Sequence, residues 1–317
     1  MRNSILPDPP SNFSVETSLA DELLKLDFKD RAELQEEIHG VRCGAAEETP
    51  EFVERSLSEF DAELNARREQ TPTNNSLRNV VPISSLDEEA AKAAKSKCYL
   101  NDPDVRLRFL RCDLFVVEKA VARLITFLEF TSDLFGDFVA ERPIRISDFN
   151  SKEEIALQNS RVQYLPFRDR SGRRVLASVG TSNFDLDVNL RFKILMYLHW
   201  VVSEDVETQR KGVVIITWIF DEAENKTWEK TLRPAMKNGI RPVHSKHFAS
   251  LPVRLASLQH YYVHDTLFFR SMAALYVFHV EAECRKLYKS HFGKLRCHEL
   301  VDYLQVERLP NEVKNGG

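Results

Sequence analysis

The pattern of apolar positions along the chain is densest near its middle, over residues 213–220. Every position of this run is apolar or β-branched, and Gly212 and Asp221 bound it. A segment that is apolar on both alternating faces is typical of a strand buried on both sides, in a sheet covered by helices. Residues 189–209 before it and residues 225–238 after it have the apolar spacing of helices. This order predicts an α/β domain with the strand in the middle of its sheet.

Apolar residues recur at helical spacing in two stretches near the N-terminus. Residues 18–38 predict short helices among many charges, which end before Gly40. Residues 50–70 predict an amphipathic helix, with Thr49 as its cap and Pro50 at its first position. The apolar stripe is flanked by too few Lys and Arg residues for a helix that lies on a membrane. We therefore interpret these segments as helices that dock on a neighbouring domain or on each other.

Polar residues and prolines over 71–82 predict a linker. Helix-start signals follow near residue 84 and at 102–103, and a further helical stretch covers 116–135. These stretches together predict a small helical subdomain. We therefore divide the chain into an N-terminal helical extension with its linker at 1–82, a helical subdomain at 83–158 and an α/β domain at 159–317.

The last part of the chain predicts the remaining strands and one unusual helix. Alternating apolar residues over 160–179, interrupted by an Asp-x-x-Gly turn, predict a β-hairpin. Residues 254–262 and 286–292 predict two further strands, and 298–304 a final helix. Residues 265–282 predict the most apolar helix of the chain, with apolar residues around most of its circumference. Such a helix has to be covered on several sides, by protein or by another apolar molecule.

Composition changes this picture little, but it excludes some classes of protein. The chain has 317 residues, enough for about two domains, and its 43% hydrophobic content is ordinary for a globular protein. A formal net charge of −4 argues against a protein that coats nucleic acid. The five Cys residues lack paired CxxC spacing and favour a reducing compartment. No signal peptide and no membrane-spanning run is evident, so we expect a cytoplasmic protein.

Four stretches, in order along the chain, resemble the motifs of one family. Residues 104–120 (DVRLRFLRCDLFVVEKA) are similar to the family pattern LLRFLRARxFDVEKA, and residues 163–175, with their Asp-x-x-Gly-Arg turn, resemble its first hairpin. Residues 250–258 resemble its YPxRxxxI segment, and residues 309–317 its closing LPxExGG. Over residues 86–317 the chain thus resembles the CRAL-TRIO lipid-binding domain family, of the retinaldehyde-binding, tocopherol-transfer and phosphatidylinositol-transfer type.

The resemblance implies a mixed sheet covered by helices, with a lipid pocket between the sheet and a mobile apolar gate helix. By position, residues 265–282 would be the gate helix. The helix before the central strand, the strand itself and the gate would line the pocket. The expected ligand-binding residues are Tyr197, Trp200, Ile216, Trp218, Phe220, Phe268, Phe269, Met272 and Tyr276. Each of them is equally compatible with ordinary core packing.

The chain departs from the family at the positions that bind lipid headgroups. Val253 replaces the acid of the phosphatidylinositol-transfer members, and Glu283 replaces a Thr before the last strand, which argues against inositol recognition. Arg254, Lys286 and Lys289 are candidates for a small cationic patch, where each residue contributes about 1 kcal/mol at an anionic bilayer. The alternative is that they are surface charges at strand ends.

Residue patterns typical of catalysis are missing from the sequence. It contains no GxSxG, GxxxxGK[ST] or HExxH motif. His244 and His247 have a ligand-like spacing, but no Cys or carboxylate lies nearby in sequence, so we expect neither a metal nor a cofactor. The sequence therefore predicts a non-enzymatic monomer that binds a small lipophile and carries it between membranes. We expect it to associate transiently with membrane surfaces and to have a possible protein partner at its N-terminal helices. The alternatives are a regulatory or scaffold protein that keeps the fold without ligand exchange, and an enzyme that acts on a lipid ester.

Overall fold

The computed structural model describes residues 13–70, 98–160, 162–179, 186–219, 241–262, 264–280 and 282–293. Over these residues the chain has an α/β fold built on a five-stranded mixed sheet. The predicted linker, the helices expected from residue 84, over 225–238 and over 298–304, and the 309–317 motif lie outside the described residues. The division into three regions stays a prediction.

The sheet contains the predicted hairpin and the predicted central strand. Its strands are β1 (Val162–Arg168), β2 (Arg174–Val179), β3 (Val213–Ile219), β4 (Leu255–Tyr262) and β5 (Tyr288–Phe292). They lie in the order β1-β2-β3-β4-β5. The first two are antiparallel, and the other neighbours pair in parallel. The prediction that residues 213–219 occupy the middle of the sheet is therefore confirmed.

Eleven α-helices accompany the sheet in the described part of the chain. They are α1 (Val15–Leu24), α2 (Phe28–Ile38), α3 (Pro50–Gln70), α4 (Pro103–Cys112), α5 (Val117–Phe135), α6 (Ser151–Gln158), α7 (Val188–Val202), α8 (Val206–Lys211), α9 (Arg241–Ser250), α10 (Leu267–His279) and α11 (Ala282–Lys286). The predicted caps are present, since the Phe52 amide donates to the Thr49 hydroxyl over 3.2 Å and the Asp104 amide to the Asp102 carboxylate over 3.1 Å.

The helix predicted over 189–209 is in fact two helices. Asp205 caps α8 by accepting a hydrogen bond from the Thr208 amide (3.1 Å), while the Ser203 hydroxyl donates to the Trp200 carbonyl (2.6 Å) at the end of α7. Such side-chain bonds to the backbone compete with helix continuation, which explains the break. Helix α9 is absent from the prediction because its apolar positions show no clear helical spacing.

The two faces of the sheet have different surroundings. Face A carries Leu176, Ile215 and Leu258, and these side chains share one apolar cluster with residues of α7, α9 and α10. Face B carries the alternate residues, such as Ile216, whose neighbour across the β2–β3 pair is Ala177.

A second apolar cluster joins the N-terminal extension to the helical part of the chain. Phe60 of α3 packs in it with Phe109 of α4, Phe127 of α5 and Trp200 of α7. The interpretation of residues 50–70 as a helix that docks on a neighbouring part of the protein is thereby confirmed.

The beginning of β3 lies very close to the beginning of β4. The Val213 amide donates to the Arg254 carbonyl over 2.8 Å. Gly212 has a φ of +80°, and a Cβ atom at this position would lie 2.8 Å from the same carbonyl oxygen. Glycine is therefore required here by both backbone conformation and space.

Candidate functional site

A cavity of about 420 Å³ lies beside α10, at the β5 edge of the sheet. Helices α1, α2 and α11 complete its walls. Its lining residues are Val15, Glu16, Leu19, Leu23, Gln35, Ile38, His39, Asp265, Arg270, Arg285, Lys286, Tyr288, Lys289, Ser290 and Phe292. The cavity thus lies between the N-terminal extension and the helix that the family resemblance predicts as a gate.

One wall of the cavity is apolar because of the spacing of residues on α1. Val15, Leu19 and Leu23 follow one another at four-residue intervals and therefore lie on one face of the helix. Ile38 of α2 and Phe292 of β5 extend this apolar surface. The wall offers methyl groups and an aromatic ring to a ligand, without a hydrogen-bonding group.

The rim of the cavity is polar and mostly cationic. Arg270 makes two bonds to the Asp265 carboxylate (2.6 and 2.9 Å), and Arg285 pairs with Glu22 at 3.1 Å. The Lys286 ammonium lies 3.0 Å from the Glu283 carboxylate. Hydrogen bonding to Asp265 raises the pKa of Arg270, so this guanidinium is charged at every accessible pH. The rim can therefore contact the polar end of an amphipathic molecule.

The predicted cationic patch is divided by the structure. Lys286 and Lys289 line the cavity. Arg254 is only 6% exposed, because its guanidinium donates to the Glu37 carboxylate (2.5 Å) and to the Lys211 carbonyl (3.0 Å). Arg254 therefore attaches α2 to the sheet and is not part of an exposed patch.

Four of the predicted lipid-binding residues come together between α10 and face A. The Phe269 ring lies 5.8 Å from that of Tyr262, and Phe268 lies 5.2 Å from Phe269. The Tyr276 ring lies 4.5 Å from that of His260, and Met272 is buried in the same cluster. Burial raises the pKa of Tyr276 well above its ordinary value, so its hydroxyl stays neutral.

The predicted residues of the central strand lie on the other face of the sheet. Ile216 and Trp218 alternate with the face A residue Ile215 along β3 and therefore point to face B. The partner of Trp218 on β4 is Tyr261. The rings of Trp218, Tyr261 and His291 form a stack across three strands, with centroid distances of 5.6 and 4.2 Å. The sheet thus separates these residues from α10. Phe220 lies outside the described residues.

The two predicted residues of α7 occupy a third environment. Trp200 packs among the helices, where its ring lies 5.5 Å from Phe127 and 5.6 Å from Tyr99. Tyr197 contacts Phe149, with ring centroids 5.4 Å apart. Of the eight predicted lining residues that the structure describes, four are therefore grouped between α10 and face A and four are elsewhere. None of the eight lines the cavity.

The sequence prediction missed most of the cavity lining, in which it expected only Lys286 and Lys289. Arg270, Arg285 and the α1 wall were not expected there. The four-residue spacing of Val15, Leu19 and Leu23 is visible in the sequence as one face of a helix, but nothing in it shows which surface that face contacts.

A histidine on α7 is enclosed in the interior above face A. His199 is fully buried, with its Nδ1 2.6 Å from the Leu195 carbonyl oxygen and its ring 5.8 Å from Tyr164. Burial lowers the pKa of His199 to about 4. The ring of His247, one of the two candidate metal ligands, is buried 5.6 Å away from it. The side chain of His244 lies outside the described residues.

We expect His199 to make the protein less stable in mild acid. The folded state keeps this ring neutral to about pH 4, whereas the unfolded chain binds a proton below its ordinary pKa of about 6.5. The unfolded state thus binds more protons within this window, and lowering the pH from about 7 to about 4.5 removes about 2–3 kcal/mol of stability. Urea denaturation of wild type and His199→Leu across this range measures the effect.

The expected result is a smaller pH dependence in the variant. The matched control is His264→Leu, which changes a partly exposed histidine before α10. A wild-type pH dependence that persists in full in His199→Leu would contradict the prediction.

Comparison with known proteins does not place the chain in a family: no protein-family model matches it, and no curated protein is significantly similar to it. Among the helices that the structure describes, none combines the length and the apolar character needed to cross a membrane.

Proposed function

We propose that this protein binds a small amphipathic lipid without chemical conversion and carries it between membranes. The observation that supports this proposal is the cavity beside α10, with its apolar wall and charged rim. Cavities that hold small molecules commonly measure about 300–1,000 Å³ and combine apolar walls with a few polar groups. The volume of about 420 Å³ lies within this range.

The energetics of such a site require no catalytic group. Each methylene transferred from water to an apolar wall contributes about 0.8 kcal/mol. A chain of about a dozen methylenes would therefore contribute on the order of 10 kcal/mol before the cost of association, while the rim keeps the polar end of the lipid hydrated or paired.

The resemblance to the CRAL-TRIO family supports the same function from an independent direction. Residues 265–282 match the family's gate by position, and α10 occupies most of them in the structure. In that family the gate moves to admit a lipophile. Transfer between membranes is proposed on this resemblance, and the cavity supports the binding step.

A second function is favoured by the packing under α10. Phe269 and Ala273 are fully buried against face A, which leaves no separation between the gate and the sheet at these positions. A regulatory or scaffold protein that keeps the fold but exchanges no ligand would have this packing. Lipid occupancy distinguishes the two functions.

Native mass spectrometry of protein purified without detergent, followed by extraction and identification of lipids, tests the proposal. We expect one lipid per chain, and we expect Leu23→Asp to lose it because a carboxylate in the apolar wall is costly to bury. Leu24→Asp is the matched control, because this neighbouring leucine is 65% exposed and does not line the cavity.

Two results would oppose lipid binding. The first is a folded wild type that carries no lipid and acquires none from liposomes of mixed lipids, which would favour the scaffold function. The second is equal lipid occupancy in Leu23→Asp and wild type, which would move the binding site away from this cavity.

A further inference from the structure

We propose that α1 is a lid, which forms one wall of the cavity in this structure and moves when a lipid is taken up. The proposal rests on the function proposed for the cavity and concerns its regulation. It assigns a role to the N-terminal extension, whose first helix lies over α10 and α11.

The position of α1 is the first argument. The face that carries Val15, Leu19 and Leu23 forms the apolar wall of the cavity. Next to this helix, the Phe13 ring packs edge-on against Phe278 of α10, with centroids 5.4 Å apart. The helix therefore covers both the cavity and part of the outer surface of the gate helix.

The polar attachment of α1 is the second argument. Glu22 is only 5% exposed, and its carboxylate pairs with Arg285 of α11 at 3.1 Å and with Lys25 at 2.9 Å. Glu16 and Arg270 form an additional pair at 3.9 Å, but both of these side chains are exposed. A buried carboxylate depends strongly on its cationic partner, whereas an exposed pair contributes little. The Glu22–Arg285 pair is therefore the principal ionic attachment of α1 to α11.

The third argument is that the segment after α1 is held by many more polar contacts than α1 is. Glu37 accepts hydrogen bonds from Arg254 (2.5 Å) and from the Gly44 amide (3.1 Å), and its carbonyl accepts from Arg173 (2.5 Å). Glu48 then pairs with Arg111 at 2.6 Å and with Arg210 at 2.9 Å. The chain is thus fixed from the end of α2 onwards.

Because α1 has few polar attachments and α2 has many, the segment between them can act as a hinge. Residues 25–27 join α1 to α2. A ten-residue helix is marginally stable in water without tertiary contacts, so α1 loses its helical structure readily once it leaves α10 and α11. Release of α1 would open one wall of the cavity while α2 stays in place.

Charge reversal at the buried pair tests the lid. In Glu22→Arg the new cation faces Arg285, so we expect faster amide hydrogen exchange in α1 with unchanged exchange in β3 and α5. Glu22→Gln is a milder variant for the case that the reversal disturbs folding. The swap Glu22→Arg with Arg285→Glu restores an ion pair of opposite orientation and should restore slow exchange. Glu59→Arg reverses a charge in an exposed pair of α3 and is the matched control.

The functional measurement is the rate at which the protein acquires lipid from vesicles made of a total tissue lipid extract, followed by native mass spectrometry over time. We expect Glu22→Arg to accelerate acquisition by about tenfold, the factor that corresponds to about 1.4 kcal/mol. The swap and Glu59→Arg should acquire lipid at the wild-type rate.

The possible results separate the lid from the binding function. Unchanged exchange in α1 of both Glu22 variants would show that the pair does not hold the helix, and would overturn the proposal. Faster exchange in α1 with an unchanged rate of acquisition would overturn the lid and leave lipid binding intact. Faster exchange with no acquisition by any variant or by wild type would overturn the proposed lipid binding and the lid with it.

Discussion

Replacing Asp61 by alanine is expected to lower the free energy of unfolding by about 3–5 kcal/mol. Arg106 of α4 is 1% exposed, and it pairs with Asp61 of α3 while its Nε donates to the Leu100 carbonyl over 2.9 Å. Burial lowers the pKa of Arg106, and the Asp61 carboxylate opposes this effect. Removal of the carboxylate leaves a buried guanidinium without its anionic partner. Urea denaturation followed by circular dichroism measures the loss.

The matched control for this prediction lies on the same helix. Glu59 and Arg55 form an exposed pair at 3.9 Å, so Glu59→Ala should change stability by less than about 1 kcal/mol. The double variant Asp61→Leu with Arg106→Met removes both charges and should recover most of the stability that Asp61→Ala loses. Equal losses of stability in Asp61→Ala and Glu59→Ala would contradict the prediction that the buried pair stabilises the fold.

Replacing Trp200 by alanine is expected to cost about 3–5 kcal/mol of stability, as for other large aromatic side chains in a core. The indole is 3% exposed and packs against Tyr99 and Phe127, and the Arg108 guanidinium lies 4.7 Å from its ring centroid. Thermal and urea denaturation measure the loss, and lipid occupancy by native mass spectrometry is measured on the folded fraction.

This prediction distinguishes a core residue from a pocket residue. If Trp200 lined a lipid site, the alanine variant would lose occupancy with a small change in stability. The matched control is Tyr197→Ala on the same helix, where the ring is half-buried against Phe149 and a smaller loss of stability is expected. A small effect of Trp200→Ala on stability would contradict the packing described here.

The sheet was largely predictable from the sequence because its signals are local. The apolar run at residues 213–220 indicates burial on both faces, and the Asp-x-x-Gly turn fixes the hairpin. In the structure the Asp169 carboxylate accepts from the amides of Ser171 (3.0 Å) and Arg173 (2.8 Å), and Gly172 has a φ of +78°. Thr49 and Asp102 likewise indicated helix starts through their own side chains.

The site was less predictable because its parts come from distant segments. Alternation along β3 shows that Ile215 and Ile216 point to opposite faces, but it does not show which face α10 covers. Arg254 looked like a surface charge because its partner, Glu37, belongs to the N-terminal extension. The apolar spacing on α1 predicts which residues share one face of the helix, but it does not predict what that face contacts. Such pairings are set by tertiary structure and leave no local signal.

The contact between Glu37 and Arg254 joins positions 217 residues apart. Chains are synthesised from the N-terminus at about 5–20 residues per second, so α2 waits on the order of 10–40 s for its partner strand to be made. During this time the apolar face of Val15, Leu19 and Leu23 has nothing from α10 or β5 to cover it. The apolar face of α1 is therefore exposed until the end of the sheet has been synthesised, and its attachment cannot precede that step.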